Sequence, residues 1–550
     1  MAGCPPAVIL PKFKILISDH LPPSGWEALR AAPDVTLFGP CASRTEVIAA
    51  LPSVDAIIVR STTLVDAELL DAAPSLRVVA RAGARLDNID LDEATRRGIM
   101  VINVPDTNVY AVTEHVFAML LALARHIPQG YAAVRAGGWP RHTLMGFELH
   151  GKTLGVIGFG RLGQEVAVRA QAFGMQVLAY DPYVDLSFAR ERGVEMVGFE
   201  ELLARADVVA PLTSLTPQTR HILNAAAFAK MKPSAVLVNC VHAGLVDESA
   251  LLAALEDEII FGAALDSLDQ EPGEGRLSRH PRVVAVPHLN QNTFESQAAT
   301  GEQVVADVLD ALRGVDYRHV ANLPFDARTP YAAVRPYIHL ASKLGKLQGQ
   351  LAEGWITRVE VELLGEGLQD LARPVAAVLL SGMLLPVDGR PVNWVSAPVQ
   401  AHAQGVVTAQ AKHLVEQGDY PNLLACRIVW EGGFRTVAGA LFANGEARLV
   451  QYDDFPIDAH PEGFLVILEN DDVPGVIGKV GTHLGNAGIN IGNWRYGRKP
   501  GGLALSGDRK SPVEGGRGVS FINVDARVPP AILLELEQHA EIHRARLVRL

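Results

Sequence analysis

The sequence predicts an α/β protein: two doubly wound, Rossmann-like parallel sheets, then an α+β region, then a ferredoxin-like module. Three observations carry this. From Phe13 to about Pro324, short apolar runs of strand length alternate with helical stretches, the pattern of helices crossing over parallel strands. One such run, Thr153 to Ile157, opens directly into Gly158, Gly160 and Gly163, spaced as G-x-G-x-x-G. From Gly463 the chain restarts in the order β-α-β-β-α-β.

Residues 1–12 read as a loose leader. Strands are predicted at Phe13 to Ser18, Asp55 to Ser61, Leu76 to Arg81 and Ile99 to Asn103, the last stopped by Pro105. A glycine-containing loop, Ala82 to Asn88, follows the third. This unit lacks a G-x-G-x-x-G and is expected to hold something other than a dinucleotide. The apolar helix Thr113 to Arg125 begins the second unit; its longest apolar run, His115 to Ala124, is too short to span a bilayer.

The fingerprint comes next, and each part has a mechanical reason. Gly158 permits the tight turn, Gly160 lets backbone approach a pyrophosphate, and Gly163 lets the following helix, Leu162 to Phe173, pack on the strand. That helix offers free N–H groups and a positive dipole end to the pyrophosphate. The strand Gln176 to Tyr180 ends at Asp181, where a carboxylate accepts a ribose 2′-OH and selects NAD over NADP. Strands are then expected at Asp207 to Ala210, Ala235 to Cys240, Phe261 to Leu265 and Val283 to Val286. Polar residues gather at or beyond their carboxyl ends: Thr213, Asn239, His242, Asp266, Glu271 and His288. Ligands of open α/β sheets bind there. A dinucleotide site that moves a hydride also needs a group to take or give a proton. His288 is the best candidate, because imidazole cycles its proton near neutral pH. Glu271 is the candidate to hold the second ring nitrogen and stabilise the imidazolium. A helix from Phe294 to Leu312 is expected to return the chain to the first unit.

Residues 326–455 mix helix (Leu340 to Leu351) with strand (Val359 to Leu364, Arg427 to Glu431) and carry no catalytic constellation. The last module reads as strand Phe464 to Glu469, turn Asp472 to Gly475, helix Val476 to Ala487, strand Ile489 to Arg495, a long Gly-, Lys- and Arg-rich hairpin loop over 498–518, strand Val519 to Val524, helix Pro530 to His539 and strand Ala545 to Leu550.

Composition narrows the function classes. The 550 residues suggest three or four domains, and the net charge of -12 without a basic patch argues against nucleic acid. Cys4, Cys41, Cys240 and Cys426 are scattered without metal-ligand spacing, so no metal site or disulfide framework is expected, and a reducing cytoplasm is. The N-terminus lacks a charged segment followed by a long apolar one, so no secretion signal and no membrane association are expected.

Taken together, Arg60-Ser61 and the segments AGARLDNID, NVPDTNVYAVTEH, GFGRLGQ, AYDPY, NCVHAGLVDE, LDSLDQEP and VPHL resemble the long form of the D-3-phosphoglycerate dehydrogenase family, within the D-2-hydroxyacid dehydrogenases, over nearly the whole chain. The resemblance implies a substrate-binding domain at 13–105 and 289–325, an NAD-binding domain at 106–288, an intervening domain of the allosteric substrate-binding kind at 326–455, and an ACT regulatory domain at 462–550. It implies NAD-dependent oxidation of 3-phosphoglycerate to 3-phosphohydroxypyruvate, the first step of L-serine biosynthesis, by a homotetramer. Residue by residue, His288 and Glu271 become the catalytic pair. Asp266 meets the nicotinamide carboxamide, Arg161 and Leu162 meet the pyrophosphate, and Thr213, Cys240, Val241 and His242 line the cofactor. Ala84 and Arg85 offer backbone amides to the substrate carboxylate, Arg60 contacts the phosphate, and Asn108 joins the substrate set. Trp139 and Arg141 sit in a segment that crosses to a neighbouring subunit. Asn470, Asp472 and Asn490 match positions that bind L-serine across a subunit interface.

Four positions depart from the family pattern. The NAARGG motif reads Asn239-Cys240-Val241-His242-Ala243-Gly244, so His242 stands where the substrate-clamping arginine is expected. Arg85 replaces a small residue, Asn290 a glycine, and Leu212 a histidine. Neutral imidazole offers one donor and no permanent charge, so His242 is expected to clamp a carboxylate best when protonated, and Arg85 is a candidate for the missing cation. Two further readings therefore stand beside the first: a dehydrogenase of another D-2-hydroxy acid, and a weakly active NAD-binding protein that senses serine.

Overall fold

In the computed structural model, residues 13–105, 107–269, 275–323, 331–365, 368–386, 390–416, 420, 422–499 and 516–550 are described. The leader at 1–12, Glu271 and most of the 498–518 loop lie outside them. The chain divides into two compact units, one holding the residues through Leu21 with Trp26–Val104 and Val304–Leu550, the other Pro22–Gly25 with Pro105–Gln303.

The first unit begins with five strands: β1 Phe13–Ile17, β2 Val35–Phe38, β3 Ala56–Val59, β4 Val78–Arg81 and β5 Met100–Ile102. All pair in parallel, in the order β2-β1-β3-β4-β5. Strands β3 and β4 are AIIV and VVAR, buried at every position, because both faces of a parallel sheet are covered. Strand β2, which the sequence reading did not contain, is a half-exposed edge strand of four residues.

The second unit holds β6 Thr153–Ile157, β7 Gln176–Tyr180, β8 Glu195–Met196, β9 Val208–Pro211, β10 Val236–Asn239, β11 Gly262–Leu265 and β12 Val283–Ala285. They form one parallel sheet ordered β12-β11-β10-β9-β6-β7-β8. The order reverses at β6, the strand that carries the glycine turn, which is where doubly wound sheets open a crevice. Helix Val109–Ala124 packs apolar side chains, Val116, Phe117, Leu120 and Leu123 among them, on one face of this sheet.

The remaining chain belongs to the first unit. Strands β13 Ile356–Leu364, β14 Val407–Gln410, β15 Leu423–Trp430, β16 Gly433–Leu441, β17 Ala447–Tyr452 and β18 Phe455–Ala459 form a mixed sheet, antiparallel except for the β13–β14 pair. Helix Tyr331–Leu351 buries Ile338, Leu344 and Leu347 in its core. Strands β19 Phe464–Asp471, β20 Ile491–Arg498, β21 Arg517–Val524 and β22 Ile542–Arg549 make an antiparallel sheet ordered β20-β21-β19-β22. With helices Val476–Asn486 and Pro530–Glu537 this is the ferredoxin-like order the sequence predicts. No helix among the described residues is long and apolar enough to cross a membrane.

Candidate functional site

In the second unit the glycine turn has the geometry its spacing requires. Gly158 sits at φ +96°, and a Cβ there would fall 2.9 Å from Thr213 Cβ and 3.0 Å from the Leu212 carbonyl oxygen. A Cβ on Gly163 would lie 2.3 Å from the Gly158 carbonyl oxygen, so the helix Arg161–Ala172 comes that close only with glycine. A Cβ on Gly160 would meet nothing within 4 Å. Its bare backbone opens outward, the opposite of a packing role, and leaves room for a phosphate beside the helix N-terminus. Asp181 ends β7 and turns back on the same loop: Oδ2 accepts the Phe159 N–H at 2.8 Å and Oδ1 the Tyr183 N–H at 2.9 Å. The carboxylate is thus fixed beside the glycine turn. This set fits a dinucleotide.

At the carboxyl ends of β10, β11 and β12 three loops are tied together. Asp266 is fully buried and is the knot. Its Oδ1 accepts the Leu289 N–H at 2.7 Å and faces His115 Nε2 at 2.8 Å, and its Oδ2 accepts the Asn290 N–H at 3.2 Å. Its carbonyl accepts the His288 N–H at 2.8 Å. His288 itself adopts φ +54°, a left-handed conformation that non-glycine residues rarely take and that these bonds enforce. His288 is partly exposed while the loop beneath it is fastened. Its expected partner Glu271 lies outside the described residues.

His115 was not singled out by sequence reasoning. Its signal is a histidine at the start of the long apolar run within helix Val109–Ala124, and only the fold brings that helix under Asp266.

The 239–244 segment folds on itself. Asn239 Nδ2 donates to the His242 carbonyl at 2.8 Å, and Asn239 Oδ1 accepts the Val241 N–H at 3.2 Å. His242 Nδ1 accepts the Gly244 N–H at 3.1 Å, capping the short helical turn Ala243–Leu245. That bond needs Nδ1 unprotonated and so puts the ring proton on Nε2. A ring protonated on both nitrogens would give up this cap. Cys240, expected to line the cofactor, directly follows β10. Its thiol is fully buried in the sheet's core, where burial raises its pKa, and only its main chain is left to face a ligand.

Asn108 precedes helix Val109–Ala124, and its Nδ2 donates to Gln291 Oε1 at 3.3 Å. Arg141 is exposed on the segment that follows helix Ile127–Arg135, close to Trp139, which is 81% exposed.

In the first unit the 82–90 loop is a network of its own. Asn103 Nδ2 donates to the Ala84 carbonyl at 2.7 Å. Arg85 Nη2 pairs with Asp87 Oδ2 at 2.8 Å, and Arg81 pairs with the same carboxylate. Arg85 thus carries a counter-ion, Asp87, within its own loop. Arg60 is anchored through its backbone. Its N–H donates to Asp19 Oδ2 at 2.6 Å, and its carbonyl accepts from Asn88 Nδ2 at 2.6 Å. Burial pushes its guanidinium pKa down, against the charge of Asp19 and reinforced by that of Arg81.

In the last module Asn470 is buried, and its Nδ2 donates to Tyr496 Oη at 3.3 Å. Asp472 Oδ2 pairs with Arg498 Nε at 2.8 Å. Asn490 is not beside them. Strand β20 runs parallel to β19 through β21, so Ile491 stands level with Phe464 and Arg498 with Asn470. Six to seven residue levels, roughly 20 Å, separate Asn490 from the other two within one chain.

Residues 117–290 match the family described as D-isomer specific 2-hydroxyacid dehydrogenase, NAD binding domain, and residues 333–453 match the D-3-phosphoglycerate dehydrogenase intervening domain. The chain is 36% identical over 539 residues to a D-3-phosphoglycerate dehydrogenase of Synechocystis, spanning 98% of this chain and 95% of that one. It is 35% identical over 539 residues to the Bacillus subtilis protein of the same name, spanning 98% and 100%. Among solved structures, a Thermus thermophilus protein aligns with TM-score 0.51 and 32% identity over 58% of this chain and 99% of its own. A glyoxylate reductase from Paecilomyes thermophila aligns with TM-score 0.50 and 32% identity over 55% and 96%.

Proposed function

Because the chain belongs to the D-3-phosphoglycerate dehydrogenase family, we propose that it oxidises 3-phosphoglycerate to 3-phosphohydroxypyruvate with NAD, at the entry to serine synthesis. Bound NAD would supply the acceptor for the hydride that leaves the hydroxyl-bearing carbon of the substrate. Gly158, Gly160 and Gly163 with the amides of Arg161 and Leu162 hold the pyrophosphate, and Asp181 accepts the ribose 2′-OH. Thr213, Val241 and the main chain of Cys240 line the remainder. His288 takes the hydroxyl proton, and Glu271 holds its other ring nitrogen. Asp266, steadied by His115, fixes the loop that carries His288; its burial and its bonds to Leu289, Asn290 and His115 favour this positioning role over the expected contact with the carboxamide. On the substrate side, the amides of Ala84 and Arg85 take the carboxylate, Arg60 takes the phosphate, and Asn108 and Arg141 complete the set. His242 donates one hydrogen bond from Nε2 where arginine would make two.

The domain roles follow: substrate binding by 13–105 with 289–325, NAD binding by 106–288, an intervening domain at 326–455 and an ACT domain at 462–550. The helix Ile127–Arg135 buries no residue, and Tyr131, Val134, Trp139 and Met145 are exposed near it, which supports a subunit interface and, with the resemblance, a tetramer. The separation of Asn490 from Asn470 and Asp472 supports a serine site built from two copies rather than one. The unpaired Cys41, Cys240 and Cys426 fit a reducing cytoplasm.

The observation that carries this reading is the conjunction, in one sheet, of the open glycine turn with a histidine held in left-handed geometry by a buried aspartate. The test is a substrate panel with the full chain, following NADH formation. We expect 3-phosphoglycerate to give the highest kcat/KM. A different 2-hydroxy acid exceeding it tenfold replaces the substrate assignment, as the single donor of His242 would favour. NAD binding without turnover of any 2-hydroxy acid leaves the sensing reading.

A further inference from the structure

A loop of the intervening region reaches the strand that holds the substrate loop. Asn393 Nδ2 donates to the Gly98 carbonyl at 2.7 Å, while its Oδ1 accepts the N–H groups of Val395 at 3.0 Å and Ser396 at 3.1 Å. The side chain is thus locked inside its own turn and points one donor at residue 98. Gly98 sits at φ +75°, and a Cβ there would lie 2.7 Å from Asn393 Nδ2, so glycine is needed both for the conformation and for the seat of the asparagine. The next two residues enter the first sheet's core. Trp394 stands edge-on to Tyr317 at 4.7 Å, Tyr317 stands edge-on to Tyr331 at 4.9 Å, and Val395 is 2% exposed among the residues that pack on β1, β3 and β4.

Gly98 leads directly into β5, a three-residue edge strand paired to β4. At its start, Asn322 Oδ1 accepts the Val101 N–H at 2.9 Å, and Asn322 Nδ2 donates to the Ile99 carbonyl at 2.8 Å. Just past its end, Asn103 Nδ2 donates to the Ala84 carbonyl at 2.7 Å, and the Val104 N–H donates to the Gly83 carbonyl at 2.9 Å. A strand this short has no internal slack. β5 links the two ends, and the bonds just past its far end hold the carbonyls of Gly83 and Ala84.

We propose that Asn393, in the intervening region, is a positioning residue for the Ala84–Arg85 loop, acting through Gly98, β5 and Asn103, and so sets affinity for the substrate carboxylate. The carboxylate assignment of that loop rests on the function proposed above; the positioning of the loop does not.

The test uses the full chain with Asn393→Ala and the near-isosteric Asn393→Asp, which keeps the acceptor oxygens of the turn but loses the donor to Gly98. Val395→Ala is the control, since it removes core packing from the same turn and leaves the Asn393 bond. Two readouts are taken. Hydrogen exchange of the 82–90 amides, measured without substrate, should speed at least threefold in both Asn393 variants and stay unchanged in the control. KM for 3-phosphoglycerate should rise three- to tenfold in the same two variants, with kcat and NAD affinity unchanged. Loop exchange and KM unmoved while the melting temperature falls would overturn the proposal and leave Asn393 a structural residue. Equal loop exchange in the Val395→Ala control would do the same. If loop exchange speeds as expected but no 2-hydroxy acid is turned over, the positioning stands and the substrate reading falls.

Discussion

Replacing His242 by arginine tests the centre of the pocket from two directions at once. Arginine brings a permanently charged, planar fork that grips a carboxylate through two hydrogen bonds, where the neutral ring offers Nε2–H alone. Recovering a charged clamp should raise kcat/KM for 3-phosphoglycerate at least about tenfold, equivalent to roughly 1.4 kcal/mol of transition-state stabilisation. The same substitution removes an acceptor. The Gly244 N–H, buried and bonded to His242 Nδ1 at 3.1 Å, loses its partner and the turn Ala243–Leu245 loses its cap. Loss of a capping acceptor costs about 0.5–2 kcal/mol, and a buried unsatisfied donor puts this case toward the upper end. The expected result is a more active and less stable protein. Steady-state NADH kinetics with matched urea unfolding read both quantities. A variant with unchanged or lower kcat/KM refutes the clamp position for residue 242, and one with unchanged stability refutes the capping role.

Three further outcomes follow from the geometry. Asp181→Asn removes the charge that repels a 2′-phosphate while keeping one acceptor for the Phe159 N–H, so NAD-over-NADP discrimination measured by calorimetry should fall at least about tenfold; unchanged discrimination removes Asp181 from the ribose site. Asp266→Asn places an NH₂ among the Leu289 N–H, Asn290 N–H and His115 contacts, so stability should drop by about 1.5–3 kcal/mol and turnover by more than NAD affinity; equal losses in both would show that the carboxylate serves cofactor binding rather than the His288 loop. In the helix Leu91–Arg96, hydrogen bonds from Arg96, opposed by burial and joined by Arg97, hold the Glu93 carboxyl down from 4.5 to about 2. A depressed folded-state pKa stabilises above the ordinary value and is lost as pH falls toward the depressed one. Glu93→Gln should therefore lower stability above pH 4.5, with the difference from the parent closing between pH 4.5 and about 2; a constant difference across that range in acid unfolding would contradict it.

What was legible in the sequence was what is local in the chain. The glycine turn of 158–163, the apolar runs of β6, β7 and β10, and the last module's element order are written in contiguous periodicity and turn chemistry, and they fold as read. What escaped was either short and half-exposed or assembled at a distance. Strands β2 and β8 are edge strands of four and two residues with no continuous apolar run. His115 and Asp266 are separated by 151 positions, and Asn393 and Gly98 by 295, so no window of sequence contains either pair. The tautomer of His242 was also invisible, because it is set by a backbone N–H two residues on rather than by the residue's identity.

The four departures from the family pattern do not act as four independent losses. Asn290 stands where a glycine is expected, and its added amide is put to use. Asn290 is 7% exposed, its Nδ2 donates to the Cys240 carbonyl at 2.7 Å, and its own N–H is held by Asp266. That single bond ties the loop carrying His288 to the segment carrying His242, the two places where the proposed chemistry is concentrated. Leu212 and Cys240 lie in one buried cluster on the same sheet, so the expected histidine is replaced by apolar packing against the segment that Asn290 fastens. Arg85, in the other unit, arrives with its counter-ion Asp87 already in place. Here the Asn290 side chain is held by one hydrogen bond while its Oδ1 is buried without a partner among the described residues, Leu212 by packing and Arg85 by an ion pair. On the function proposed above, residue 242 is the clamp, and the weak point of the site is then that one side chain, His242.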